Sequence, residues 1–564
     1  MDNSMNMKAE ILPRDQFSFF IRFQYDMALI ELVRSIPGCS WDKKSKCWIG
    51  RYIFYDMVTG ALLKKGVEII ERPQANQALK AFHAFQGELE NTKKLDGNDC
   101  FMLTKIKLDP HQCVGSAFLA IGERVLLADA VGLQKTATAI NACLILKNLR
   151  DVKKVLYVTL NTLKFQVQEE IHKFTDERAL VIDGSKDERA ATFEQWEAGN
   201  TMFLIVNYEA IHSYFELFGR ARPEIIIADE VSRAKNWQSK TSKALRKIPS
   251  RYFWAMGATP LENNFDEVFS ILKIVNPELL GNRTNFINFY AKIGFFGEIK
   301  GWHTDRIKDF ANRIQPYMLQ RTNEDIGRTL PNTNVLHHWM ELSQDQRRVY
   351  EDLKVKSKQT ITVGDTTYSQ MISVLVKLRE ACDFADLGDA NASGASTKLE
   401  ELMRIIKESK HDDKIIVFTQ WLQAANRISD RLTRDKISHV LISGKVKGAE
   451  RHDTLNHFKK MPSLKVLVTT DCLAWGINLQ ECNKMVIFDL LYTPSKMTQR
   501  VGRIRRYGQK REMTVHTLLC KNTVEEKMLD ILSRKQGYSE MLFDPMAKNV
   551  KLSASDLKKI ILSA

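Results

Sequence analysis

Apolar residues recur at every second position through Phe17, Phe19, Ile21 and Phe23, the period of a half-buried strand. From Met27 the spacing turns helical, and Pro37-Gly38 stops it near Ile36. "SWDKKSKCW" then sets Trp41 and Trp48 on either side of Lys43, Lys44 and Lys46, as a basic hairpin would. A helix near 52–63 and a strand in "GVEII" complete a small β-α-β-β-α-β unit within residues 1–75, and a polar connector, helical or loose, follows over 76–98. Over 99–275 short apolar runs alternate with amphipathic helices: "RVLLAD", "KVLYVTL", "ALVID", "MFLIVN", "EIIIAD" and "YFWAMG". That alternation predicts a parallel sheet covered by helices. It lapses over 276–395, a helix-rich insertion ending in "GDANASGAS", and returns over 396–535 in "KIIVFT", "HVLIS", "KVLVTT", "KMVIFD" and "MTVHTLL". Residues 536–564 remain as a tail. The fold class is α/β: two parallel-sheet lobes with a helical insertion, plus a small α+β domain at the N-terminus.

With 564 residues, the chain suits three or four domains at roughly 150 residues each. Lysine and arginine outnumber acidic residues 83 to 68, and the net charge of +15 points to a polyanionic partner, nucleic acid first. The cysteines at 39, 47, 100, 113, 143, 382, 472, 482 and 520 form no C-x₂-C pair. Neither a zinc site nor a disulfide framework is predicted, so they read as reduced, mostly buried thiols. No basic-then-apolar leader and no bilayer-spanning apolar run is visible, so a soluble protein with no membrane partner is expected, cytoplasmic (in a nucleoid or viral host cell), or nuclear in a eukaryote.

"LLADAVGLQKTATAI" brings in chemistry. Lys135 and Thr136 follow an apolar run and open a helix, as in a phosphate-binding loop, but Gln134 and Asp129 stand where GxxxxGK[ST] has its glycines. Further on, "EIIIADEVSRAKN" ends an apolar strand with Asp229-Glu230, two carboxylates at the carboxyl edge of a sheet, where α/β proteins bind ligands. One can hold Mg²⁺ and the other can activate water.

"FWAMGATPLEN", "KIIVFTQW", "LVTTDCLAWGINLQ" and "TPSKMTQRVGRIRRYGQKR" come next, in the order and spacing of superfamily-two helicase motifs. From "LDPHQ" to about residue 535 the chain resembles the Swi/Snf-type DNA-dependent ATPases. The resemblance implies two RecA-like lobes, ATP and Mg²⁺ as cofactors, and DNA as partner, with a monomer expected. It implies that Gln112 reads adenine, and that Asp129, Gly132, Gln134, Lys135 and Thr136 form the phosphate loop. Thr136 and Asp229 would hold the metal, Asp229 and Glu230 would be the acidic catalytic pair, and Thr259 would couple nucleotide state to DNA grip. In "QRVGRIRR", Gln499 and Arg500 would sit at the nucleotide and Arg503 and Arg506 would be arginine fingers. Their place in the second lobe would link closure to hydrolysis. Thr162, Asn207 with Tyr208, Thr419 with Gln420, Thr470, Asp471 and Gly476 would face the DNA strand through phosphate contacts.

This sequence departs from the family pattern in places. Ser232 replaces a histidine, Ala130 an acidic residue and Leu160 a proline. Gln134 replaces a glycine whose freedom at positive φ lets the backbone approach phosphate, and a Cβ there strains the loop by about 1–3 kcal/mol. An adapted, active loop is expected; a non-hydrolysing DNA clamp and a strand-separating helicase are the alternatives. The segment "FIRFQYDMALIELVRSIPGCSWDKKSKCW" resembles the HARP module of annealing helicases. That resemblance implies that Trp41 and Trp48 stack on unpaired bases while Lys43 and Lys44 neutralise phosphates. Two tryptophans buried in a small packing domain is the competing reading. The activity implied is an ATP-driven translocase that remodels forks or anneals branched DNA.

Overall fold

The computed structural model describes residues 7–99, 101–257, 265–294, 299–327, 332–362, 367–446, 448–473, 477–491, 497, 500–505, 509, 511–536 and 554–563. The chain forms two compact units, Met1–Thr159 with Val167–Thr322, and Leu160–Gln166 with Asn323–Ala564.

The first unit opens with strands β1 (Lys8–Asp15), β2 (Ser18–Phe23), β3 (Ser40–Asp42), β4 (Cys47–Arg51) and β5 (Glu68–Glu71), ordered β3-β4-β2-β1-β5. The sheet is antiparallel except that β1 runs parallel to β5. β1 adds a strand to the order expected from the sequence. Pro13 weakens its pattern, because proline cannot donate to a ladder. Here Pro13 sits beside a register irregularity and beyond the four residues that pair with β5, so its missing N–H costs nothing.

This small domain is built onto the remainder of the first unit. The connector expected as helical or loose is the helix Pro73–Lys93, which buries Ala75, Phe82 and Leu89, and Phe82 packs against Tyr52 at 5.6 Å between ring centroids. Buried Arg51 pairs with Glu278 at 2.9 Å, and Arg313 grips both carboxylate oxygens of Asp56 at 2.6 and 2.7 Å. At Gly281, whose φ is +71°, a Cβ would fall 2.6 Å from the Cα of Gly38, so only glycine allows this approach.

Strands β6 (Arg124–Leu127), β7 (Val155–Thr159), β8 (Ala179–Val181), β9 (Phe203–Asn207), β10 (Ile225–Ala228) and β11 (Tyr252–Met256) form the predicted parallel sheet. A hairpin, β12 (Ala291–Ile293) and β13 (Ile299–Trp302), comes next, and the two-residue β14 (Met318–Leu319) returns to the sheet, giving the order β14-β6-β11-β10-β7-β9-β8. β7 and β10 are buried at every residue, as befits strands covered on both faces.

The second unit carries β15 (Thr333–Met340), β16 (Ile415–Phe418), β17 (His439–Ile442), β18 (Val466–Thr469), β19 (Lys484–Ile487) and β20 (Met513–Cys520), all parallel, in the order β15-β20-β19-β16-β18-β17. Helices Thr397–Glu408 and Leu422–Arg434 bury Leu402, Ile406, Ile428 and Leu432 in one core with Val417 and Val468. Residues 276–395, expected as a single insertion, are thus shared between the units, with β14 in the first and β15 in the second. Among the described residues the cysteines are free thiols, and no helix is long and apolar enough to cross a membrane.

Candidate active site

Because the strands of the first unit's large sheet are parallel, the segments leaving β6, β7, β9 and β10 share its carboxyl edge, and the chemistry gathers there. β6 runs into residues 128–134, and the helix Lys135–Arg150 begins at once, setting the positive end of its dipole at the loop. Gly132 has φ +92°, and Gln134 has φ 53° and ψ 50°, the left-handed conformation that glycine adopts without penalty. For a residue with a Cβ this costs about 1–2 kcal/mol. The Lys135 ammonium donates to the carbonyls of Asp129 at 2.7 Å and Ala130 at 3.2 Å.

Asp129 corrects an expectation. Its side chain is fully buried and held by both arms of Arg321 at 3.0 and 2.6 Å, so it braces the loop from behind instead of meeting a nucleotide. Arg321 also donates to the His111 carbonyl at 2.6 Å, and β14 delivers it.

Asp229 and Glu230 leave the end of β10. Asp229 is nearly buried and accepts from Tyr157 at 3.3 Å and Thr159 at 3.4 Å, while its backbone carbonyl accepts from the Tyr208 hydroxyl at 2.7 Å. The Thr136 side chain neighbours the same Tyr157 hydroxyl, so Tyr157 stands between the loop and the acidic pair. Burial first, then the neighbouring Glu230, pushes the Asp229 carboxyl up to about 7, and Lys135 opposes the rise. Glu230 turns outward at φ 52° and is partly exposed. Two hard oxygen donors, Thr136 and Asp229, fit Mg²⁺, and a buried carboxylate that resists ionisation is one that a divalent cation would stabilise. Bound there with a nucleotide, the ion would neutralise charge developing on the phosphates.

In the second unit the structure corrects two more expectations. Thr419 is fully buried and its hydroxyl donates to Asp489 at 2.6 Å, so it shapes a strand end and presents nothing to a DNA strand. The Asp471 carboxylate holds the fully buried Arg500 at 2.5 and 2.9 Å, which makes it an internal counter-ion. Arg503 is buried and donates to the Ile477 carbonyl at 3.2 Å. Thr162, Asn207 and Thr470 are half-buried, and Asn207 donates to Glu209 at 2.7 Å. Thr259, Gly476, Gln499 and Arg506 lie outside the described residues. In the hairpin β3-β4, Trp41 and Trp48 stand directly opposite, edge to face at 5.7 Å. Trp48 is 7% exposed and belongs to the core, leaving Trp41, at 51%, as the one of the pair able to stack on a ligand. Beside it lies a cavity of about 430 Å³ lined by Ile21, Arg22, Phe23, Tyr25, Trp41 and Lys46, and Lys43 and Lys44 are exposed at the turn.

Comparison with known families finds the SNF2-related domain over residues 111–387 and the helicase conserved C-terminal domain over 397–508. The chain carries an SNF2-related domain followed by a helicase C-terminal domain. An uncharacterized ATP-dependent helicase of Mycoplasma genitalium is 25% identical over 417 residues, covering 73% of this chain and 39% of that protein. The ISWI chromatin-remodeling complex ATPase ISW1 of Saccharomyces cerevisiae is 25% identical over 464 residues, 78% of this chain and 40% of the yeast protein. The chain therefore spans about two fifths of the length of these relatives. Among solved structures, the Sulfolobus solfataricus SWI2/SNF2 ATPase core in complex with dsDNA shares 25% identity over 82% of this chain and 98% of that one, with a TM-score of 0.38.

Within the SNF2-related domain, Tyr157 and Arg321 are site residues that motif reading passes over. Tyr157 lies inside a continuous apolar run, where a tyrosine reads as core, and Arg321 follows a strand of only two residues. The Asp229 environment leads to a test without nucleotide. Unfolded, its carboxyl ionises near the ordinary 3.8; folded, at about 7. Burying it therefore costs increasingly as pH rises from 3.8 to about 7, and the penalty is constant above that. Asp229→Asn is expected to raise the thermal midpoint by several degrees at pH 8 and by less at pH 5. Equal changes at the two pH values in a differential scanning measurement would show that the carboxyl is not strained by burial.

Proposed function

We propose that the chain hydrolyses ATP with Mg²⁺ and uses the energy to move along duplex DNA, remodelling or annealing branched structures. The observation that carries this reading is the convergence of Lys135, Thr136, Asp229 and Glu230 at one sheet edge, through Tyr157. Lys135 and the helix N-terminus offer positive potential to phosphates, and partly exposed Glu230 is placed to take a proton from water. ATP use is also what the names of the mycoplasma and yeast relatives share. DNA as partner is supported by the net charge of +15, and branched DNA by exposed Trp41 beside its cavity and the turn lysines.

Phosphate release should rise several-fold when forked DNA is added at low salt, and the stimulation should fade as salt competes for phosphate contacts. Equal turnover with and without DNA would count against a translocase. Gln134 in left-handed backbone favours the second reading, a non-hydrolysing clamp; tight fork binding with no turnover would establish it. Trp41→Ala should lower the preference for a fork over a matched blunt duplex by about fivefold or more, since one stacked base contributes about 1–3 kcal/mol. Binding titrations on the two DNAs read this ratio, and an unchanged value would reduce the hairpin to a packing element.

A further inference from the structure

The loop after β6 satisfies itself. Lys135, the cation closest to where phosphates would lie, donates to two carbonyls of its own loop, Asp129 and Ala130. The Gln134 amide oxygen accepts from the Gln112 amide nitrogen at 3.4 Å. Gln112 sits in the first turn of the helix Pro110–Gly122 and is 2% exposed; its own amide oxygen accepts from the backbone N–H of Asp109 at 2.8 Å in a capping box. That bond fixes which way the amide faces, and its nitrogen is then the donor presented to Gln134. One residue earlier the His111 ring lies 3.4 Å from the Leu133 carbonyl, a second tie between the same helix turn and the loop.

We propose that Gln134 is a latch: its amide, held by Gln112, keeps the loop in a closed, self-satisfied arrangement that a nucleotide must open, so Gln134 sets nucleotide affinity. This rests on the ATP reading above. Any ligand group that reaches the Gln112 amide nitrogen competes with the Gln134 oxygen for it. Left-handed backbone at Gln134 is a separate matter, because the strain belongs to the Cβ and the latch belongs to the amide. Gln134 is a positioning residue in this account, since it acts through Gln112.

Gln134→Ala separates the two, since alanine keeps the Cβ and its strain but removes the amide. Gln112→Met removes the donor at nearly the same volume; it also removes the oxygen that caps the helix, so its thermal midpoint is measured beside that of the wild type. With the full chain titrated by a slowly hydrolysed ATP analogue, Gln134→Ala should tighten Kd about three- to tenfold, the equivalent of one neutral hydrogen bond. In the Gln112→Met background the same change should alter Kd by less than about twofold, because the coupling partner is gone. Unchanged or weaker binding by Gln134→Ala, or the same tightening in both backgrounds, would overturn the latch. A protein that hydrolyses ATP while Gln134→Ala binds as the wild type does loses the latch alone; absence of nucleotide binding in every variant and in the wild type removes the ATP reading and the latch with it.

Discussion

Lys135→Ala and Glu230→Gln will each lower DNA-stimulated ATP turnover at least about a hundredfold while leaving the thermal midpoint close to that of the wild type. Removing one preorganised charge-stabilising donor typically costs about 10²–10³ in rate, and removing a general base about 10²–10⁴. Both side chains are partly exposed at the sheet edge, and Lys135 offsets only part of what burial does to the Asp229 carboxyl, so stability should be largely spared. The two should differ in binding. The lysine meets phosphate in the ground state, so its loss weakens ATP affinity as well as rate. Glu230 acts on water, so Glu230→Gln should bind ATP normally and fail to split it. Phosphate release and nucleotide titration on the same preparations distinguish these outcomes. Turnover within tenfold of the wild type for either variant would mean that the reaction is carried elsewhere.

The parallel strands were legible because a strand covered on both faces needs a continuous apolar run, and "VLYVT" and "IIIA" are such runs. β15 was not, because Asn334, His337 and His338 interrupt it and its burial alternates only weakly along a sheet edge. β14, with two residues, carries no period at all. In the site, Lys135, Thr136, Asp229 and Glu230 could be read because each belongs to a short local motif. Arg321 could not, because its partner Asp129 is 192 residues away and no spacing announces the pair. Thr419, Asp471 and Trp48 show the converse limit. A motif names residues without saying which are exposed, and here a buried carboxylate, a buried guanidinium and a sheet core take up those side chains.

Arg321→Met should destabilise the first unit by about 3–5 kcal/mol, the usual consequence of removing one partner of a buried ion pair. The Asp129 carboxylate would be left fully buried without its cation, and the His111 carbonyl would lose a donor. Space for the guanidinium is built in: a Cβ on Gly115 would lie 3.0 Å from an Arg321 nitrogen, so the helix Pro110–Gly122 leaves that face open for it. The same pair holds the loop, since Ala128 and Ala130 donate backbone bonds to Leu319 and Arg321 at 2.7 and 2.9 Å. ATP affinity should therefore fall together with stability, although Arg321 reaches the nucleotide site only through Asp129. Asp129→Asn combined with Arg321→Met removes the stranded charge and should recover more than half of the lost stability, because an amide costs far less to bury than a carboxylate. Chemical denaturation of the two variants, with ATP titration alongside, measures both effects. If the single variant were as stable as the double, the buried pair would not be what supports the loop, and its weight would have to fall on the backbone bonds to β14.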